Sequence, residues 1–422
     1  MDFVRPRFSP KHLELTTLIR DCSHPGGPIA FIGNMNNNFF SIVRHMRDRG
    51  HDARLLCIDR EQSHFLPHTD CLDDDYLRYT SSIAWGGEGS IWSAKPGDVR
   101  RDLVPYSQII GCGAIPALMA KAGLRLDLII PYGDDLYLLP FSQHRSLKKA
   151  AKQLVRGAPW KFQRQGISEA SWIQQTNVFS GERAARLSRL GISQKIFYTP
   201  IPMVYDYFSE VGSDHPVWRD AFLQRVREVR GQSDFLVLHH NRHLWTDKSD
   251  LFSRKGNDVF LRGYAQFCGS RDGPARPIAV LLEYGAEVED SKRLIQELGI
   301  ADRVVWLPRA ERRLILLTLS LADVGIGQFT TGIYLNGVVQ EVLASGSPLI
   351  HNYHEDRHSS VGLSAYPYVE ADSPEAIARG LQDLWQDPER RKQLGSDARH
   401  WYRNEVIGRA LREYEARLEL RD

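Results

Sequence analysis

Pro28-Ile29-Ala30-Phe31-Ile32-Gly33 is a short apolar run closed by glycine, followed by the polar turn Asn34-Met35-Asn36-Asn37-Asn38 and then by Phe39, Ile42, Val43 and Met46 at helical spacing. The run is too short for a buried helix and suits a strand covered on both faces, while the spacing after it suits a helix with one apolar stripe. Arg49-Gly50-His51 puts a glycine just past that helix, and Ala53-Arg54-Leu55-Leu56-Cys57-Ile58-Asp59 reads as the next strand. Strand, helix and strand in this order form a parallel βαβ unit. Short strands at Ser107 to Cys112, at Leu126 to Pro131 and around Val178-Phe179 extend it into a first α/β domain.

The same rhythm restarts at Asp234-Phe235-Leu236-Val237-Leu238-His239. Further strands are expected at Ile278 to Leu282, Arg303 to Leu307, Val324 to Gly327 and Pro348 to His351. Helices are expected from Asp258 to Phe267, up to Leu298, from Arg312 to Ser320 and from Val338 to Ala344. The fold class is therefore α/β, two doubly wound Rossmann-like domains facing each other across a cleft. The expected division is residues 1–205 for the first domain, 206–233 for a Pro- and Gly-bearing connection, 234–395 for the second domain and 396–422 for a C-terminal helix packed across the outside.

The chain of 422 residues carries 54 Lys and Arg against 52 Asp and Glu, and a net charge of +2 gives it no general attraction to a polyanion, so nucleic acid is not an expected partner. Its five cysteines are odd in number and never spaced as a metal or redox pair, which argues against a disulfide framework. No apolar run is long enough to cross a bilayer and the N-terminus lacks a signal-peptide pattern, so a cytoplasmic protein is expected. Residues 144–168 hold seven basic side chains and no acid beside apolar residues at helical spacing, a pattern suited to peripheral contact with the inner membrane face.

In two facing doubly wound sheets the ligand lies outside the carboxyl ends of the strands. Gly33 and Asn34 follow the first strand at a helix N-terminus, where backbone amides can meet an anion or a sugar hydroxyl. This loop matches neither the dinucleotide fingerprint nor a phosphate loop ending in Gly-Lys-Ser/Thr. In the second domain Arg242 follows the first strand, and Lys255-Gly256 opens the next helix. Two cations there make a cradle for a diphosphate. Asn336-Gly337 opens a helix in which Glu341 is the one acid among apolar residues, and an ionised carboxylate there can accept two ribose hydroxyls. Pro131-Tyr132-Gly133-Asp134-Asp135 follows a strand and so aims its acids at the cleft. Asp73-Asp74-Asp75 has the spacing of a metal-holding acidic motif, but a short acidic run of this kind is common, and no metal site is expected.

Taken together, these residues resemble the nucleotide-sugar glycosyltransferases of the GT-B type, group 1. The resemblance runs from about residue 28 to 400 and rests on Arg49-Gly50-His51, Lys195 to Pro202, Arg242 with Lys255-Gly256, Val304 to Pro308 and, most specifically, Glu341 to Ile350. It implies transfer of a sugar, with retention at the anomeric carbon, from a nucleoside diphosphate-sugar to a glycan, glycolipid or small-molecule acceptor, as in bacterial polysaccharide or glycoconjugate synthesis, with no cofactor beyond the donor. It implies that Arg242 and Lys255 bind the diphosphate and Glu341 the ribose. Asp134 or Asp135 would then lie near the sugar, with Gly33, Asn34, Asn336 and Gly337 completing the donor site. Two departures stand out. The position eight before Glu341 is Ile333 where the family usually carries a second Glu, and an insertion bearing Trp245, Asp247, Lys248 and Asp250 lengthens the Arg-to-Lys spacing. The alternatives are a nucleotide-sugar epimerase or hydrolase on the same scaffold, or a non-catalytic binding protein.

Overall fold

A computed structural model describes residues 27–59, 65–141, 159–177, 181–206, 208, 211–246, 253–270, 276–330, 335–353 and 363–420. The first sheet has seven parallel strands, β1 (Ile29–Ile32), β2 (Ala53–Ile58), β3 (Thr80–Ile83), β4 (Gln108–Gly111), β5 (Leu128–Ile129), β6 (Trp172–Gln175) and β7 (Ile196–Tyr198), in the order β3-β2-β1-β4-β5-β6-β7. The second has six, β8 (Phe235–His239), β9 (Pro277–Glu283), β10 (Val304–Pro308), β11 (Val324–Ile326), β12 (Leu349–His351) and β13 (Val369–Glu370), in the order β10-β9-β8-β11-β12-β13. In the first sheet the chain winds outward from β1 to β3 and then returns to β1's other side with β4. The second sheet repeats this at β8 and β11. Each reversal opens a crevice at the strand ends, so the loops after β1, β4, β8 and β11 are where a ligand fits.

Both readings of the strands as buried are met: all of β1 and β8 is buried, and alternate residues serve different cores. Ala30 and Ile32 pack on one side of the first sheet, and Phe235 and Val237 on the far side of the second. Ile29 and Phe31 join Leu236 and Leu238 in one continuous layer, which passes through Phe197, Ile201, Val204 and Phe208. The two domains thus share an apolar layer along one side of the cleft.

The sequence missed β3, β7 and β13. The strand expected around Val178-Phe179 lies outside the described residues, and the nearest strand is β6, a few residues earlier. The tail also differs from an element packed on the outside. The helix Pro388–Trp401 continues through a π-helical stretch, Tyr402–Gly408, into the helix Arg409–Arg417. Tyr402 and Tyr414 are fully buried. The Tyr414 hydroxyl donates to Gln174 Oε1 of β6 at 2.8 Å, His51 Nε2 lies 3.0 Å from Glu415, and the Arg417 guanidinium sits over Trp172 and Phe197. The tail therefore returns to the first domain and ties it to the second.

Candidate functional site

The loop after β8 holds Arg242 by fixing its neighbours. Asn241 is fully buried, and its Nδ2 donates to the carbonyls of Ile326 and Gly327 at 3.0 and 2.8 Å, sewing the end of β8 to that of β11. His243 is equally buried, its amide donates to Tyr284 O at 2.7 Å beyond β9, and a Cβ added at Gly285 would lie 2.4 Å from His243 O. Between these two anchored residues Arg242 is exposed and forms no ion pair among the described residues. The position is rigid and its cation is available.

Lys255 is brought to the same place. Its amide donates to Leu244 O at 2.8 Å, so the chain closes directly across the insertion, and Asn257 Oδ1 accepts from Leu244 N at 3.2 Å. Trp245 and Thr246 are tied to the Glu287 carboxylate, while residues 247–252 lie outside those described. The Lys255 carbonyl accepts from Phe329 N at 3.1 Å, and its Nζ lies 3.5 Å from Gln328 Oε1 after β11. Gly256 follows at φ +70°, where an added Cβ would meet Phe329 Cβ at 2.9 Å, so only glycine lets the helix Asn257–Gly269 start this close to the β11 loop. Arg242 and Lys255 thus stand on two segments that are both tied to the chain around the end of β11.

The helix Gly337–Ser345 follows β11 in the chain. Asn336 caps it by accepting from Val339 N at 3.1 Å, its own Nδ2 is buried without a partner among the described residues, and a Cβ at Gly337 would meet none of them within 4 Å. Free amides at a helix start with room before them suit an anion. One turn on, Glu341 is buried, with Oε1 2.9 Å from Arg312 Nε and Oε2 2.9 Å from His240 Nε2. Burial opposes its charge, but the His240 and Arg312 contacts outweigh this and hold the carboxyl below its usual range. Ile333 lies outside the described residues.

The first-domain candidates behave differently. Gly33 has φ +91° and would press a Cβ against Cys112 Sγ at 3.0 Å, so it is a close-packed turn between β1 and β4. The Asn34 side chain is turned into the loop. Its Nδ2 donates to Phe65 O at 2.5 Å and Asn37 Oδ1 at 2.6 Å, its Oδ1 accepts from Phe40 N at 2.9 Å, and no side-chain donor is left for a sugar. Asn36 and Asn37 sit in the left-handed region at φ +52° and +58°, which asparagine tolerates, so the Asn run builds the turn. Asp135 is buried. Its carboxylate faces inward and accepts from the amides of Gly113, Tyr132 and Gly133 at 2.9, 3.1 and 2.9 Å, pinning the end of β4 to that of β5. Burial raises its pKa to about 6 despite those bonds. Asp134 is the exposed acid of the pair. Asp73 Oδ1 accepts from Asp75 N at 3.0 Å, an exposed local turn. Of the basic stretch, residues 144–158 lie outside those described. The helix Pro159–Glu169 places the Arg164 guanidinium over Trp160 and Phe141 at 5.3 Å each, and among the described residues no helix is long and apolar enough to cross a membrane.

Sequence reasoning missed His240, Arg312 and Asp70, which surround Glu341. A signal was present: Arg312-Arg313 puts two cations on the first turn of an apolar helix, where the helix dipole disfavours them.

No protein-family model matches the chain, and no curated protein does. Solved structures do. HepE of Anabaena in complex with UDP-glucose is 14% identical, over 93% of this chain and 99% of that one, with a TM-score of 0.56. A glycosyltransferase of Rickettsia africae is 11% identical over 93% and 99%, with a TM-score of 0.56. Sucrose-phosphate synthase of Thermosynechococcus elongatus is 13% identical over 92% and 99%, with a TM-score of 0.51. The chain has the GT-B fold.

Proposed function

We propose that this protein is a glycosyltransferase that takes a sugar from a nucleoside diphosphate-sugar and passes it to an acceptor hydroxyl with retention at the anomeric carbon. The observation that supports the reading is that the loop bearing Arg242 and the segment bearing Lys255 are both hydrogen-bonded to the chain around the end of β11, while Glu341 bonds His240, two residues before Arg242. As the bond between the anomeric carbon and the diphosphate breaks, negative charge grows on the leaving oxygen. Two fixed cations and the amides around Gly337 stabilise that charge without reorganising. Glu341 accepts the ribose hydroxyls with its remaining lone pairs. Asp134 and the turn at Gly33 line the facing domain, where the acceptor enters, and approach of the two domains excludes water that would hydrolyse the donor.

The solved complexes of HepE with UDP and with UDP-glucose support a uridine nucleotide as the first donor to try. Leaving-group charge is assigned here to the two cations and not to a divalent metal, so turnover is expected to survive EDTA. The test is product analysis with labelled UDP-sugars, with and without an acceptor panel of glycans, lipid-linked sugars and small alcohols. Acceptor-dependent glycoside with unchanged anomeric configuration supports the reading. Epimerised donor, or nucleotide release that no acceptor alters, would replace it with the epimerase or hydrolase alternative, and binding without any turnover would leave a binding protein.

A further inference from the structure

The carboxylate assigned to the ribose sits inside a chain of buried charges that crosses between the domains. Arg44, on the first-domain helix Asn38–Asp48, donates to Asp70 O at 2.9 Å and lies 3.4 Å from the Asp70 carboxylate. Asp70 is fully buried, and its Oδ2 is 3.3 Å from Arg312 Nη1. Arg312 then turns its Nε to Glu341 Oε1 at 2.9 Å and donates from Nη1 to Met203 O at 3.0 Å, at the end of the first domain. His240 Nε2 closes the chain on Glu341 Oε2 at 2.9 Å.

Two features separate this arrangement from a burial accident. Among the described residues each Glu341 oxygen has one partner, so of the roughly four acceptor positions on a carboxylate about two remain for a ligand. The planar guanidinium of Arg312 meets both carboxylates from fixed corners, a geometry that a lysine ammonium cannot copy.

We infer that His240 and Arg312 are positioning residues that set the Glu341 carboxylate for the two ribose hydroxyls of the nucleotide, with Asp70 of the first domain anchoring Arg312. The inference rests on the donor reading above and deepens it. Ribose recognition in the second domain is thereby linked to the first domain through one shared guanidinium. None of the three residues needs to touch the nucleotide, and their effect is carried by the carboxylate they hold.

The test is calorimetric binding of UDP, GDP, ADP and CDP, each beside its 2′,3′-dideoxy counterpart, by the full chain and by His240→Phe, His240→Gln, Arg312→Lys and Asp70→Asn, with folding checked by circular dichroism. The full chain is expected to favour the ribonucleotide by about tenfold per hydroxyl, the scale of a hydrogen bond to a charged acceptor. His240→Phe and Arg312→Lys should shrink that preference to about threefold or less while leaving affinity for the dideoxy nucleotide within about twofold, a split that general loss of structure does not produce. His240→Gln, which keeps an N–H for Glu341, should retain most of the preference, and Asp70→Asn should fall between. Equal preference in the full chain, His240→Phe, Arg312→Lys and Asp70→Asn would overturn the inference while leaving the donor reading standing. Failure of the full chain to bind any of the four would overturn the donor reading and the inference with it.

Discussion

Gly256→Ala tests how the crevice is held open. The residue has φ +70°, and a left-handed backbone costs an alanine about 1–2 kcal/mol relative to glycine. The new Cβ would also stand 2.9 Å from Phe329 Cβ and 3.1 and 3.2 Å from Phe329 C and Cα, where ordinary contact begins several tenths of an ångström further out. Two of these Phe329 atoms are backbone, so they cannot swing aside, and such overpacking costs about 1–3 kcal/mol. The sum is a loss of about 2–5 kcal/mol, read as the second-domain transition in urea followed by the fluorescence of Trp245, Trp306 and Trp385, which pack in that domain's core. Phe329 N donates to Lys255 O, so the same displacement moves Lys255 away from Gln328 and should weaken nucleotide binding by about fivefold or more. Gly269→Ala on the same helix is the control. It meets nothing within 4 Å and should be neutral or slightly stabilising. A Gly256→Ala protein within about 0.5 kcal/mol of the parent would refute the steric argument.

Arg242→Ala and Lys255→Ala are each expected to slow sugar transfer by about a hundredfold, the scale seen when one fixed transition-state donor is removed, as checked by steady-state kinetics with a labelled donor. Gly166→Ala would drive a Cβ to 1.9 Å from Pro116 O where the helices Pro159–Glu169 and Ile115–Ala122 cross, and should lower first-domain stability by about 3 kcal/mol or more in the same urea titration. His45 and His243 are both held near a pKa of about 4 by burial, against about 6.5 when unfolded, so the unfolded chain binds more protons between those values and stability must fall as pH drops from about 6.5 to 4. The limit is about 3 kcal/mol per histidine, and Asp135, raised to about 6 where an unfolded aspartate is near 3.9, runs the opposite way over much of that range. His45→Gln should flatten the acid limb of a stability-against-pH curve, and an unchanged slope would show that the imidazole is charged in the folded protein. For residues 144–168, vesicles rich in anionic lipid should pellet the protein in low salt and neutral vesicles should not.

Much of the fold was legible because parallel strands buried on both faces leave continuous apolar runs, and the runs at Ile29–Ile32 and Phe235–His239 are both central strands. β3 was hidden because its solvent-facing residues make Thr80-Ser81-Ser82-Ile83 look like a loop, and β13 because it has only two residues. The tail's return to the first domain was not readable from a highly charged sequence. Its anchors, Tyr402 and Tyr414, are single buried aromatics whose partners lie more than sixty residues away along the chain. At the site, Arg242, Lys255 and Glu341 stand out in the sequence because a cation after a strand or an acid in an apolar helix needs a partner. Asn34 and Asp135 show what such a reading leaves out: a polar side chain in a tight turn can spend its hydrogen bonds on backbone amides and carbonyls, and no spacing rule distinguishes that from a group facing a ligand. Arg312 and Asp70 became visible only when two domains were laid against each other, since their contact joins positions far apart in the chain.

The central claim is that a nucleoside diphosphate is held between Arg242, Lys255 and the start of the helix at Gly337. Equilibrium binding of UDP, GDP, ADP, dTDP and CMP in the presence of EDTA, by the parent protein and by Lys255→Ala, tests it most directly. The account predicts that one diphosphate binds the parent and that Lys255→Ala weakens it by about tenfold or more. Equal affinity in the two proteins, or no binding of any nucleotide by the parent, would contradict it.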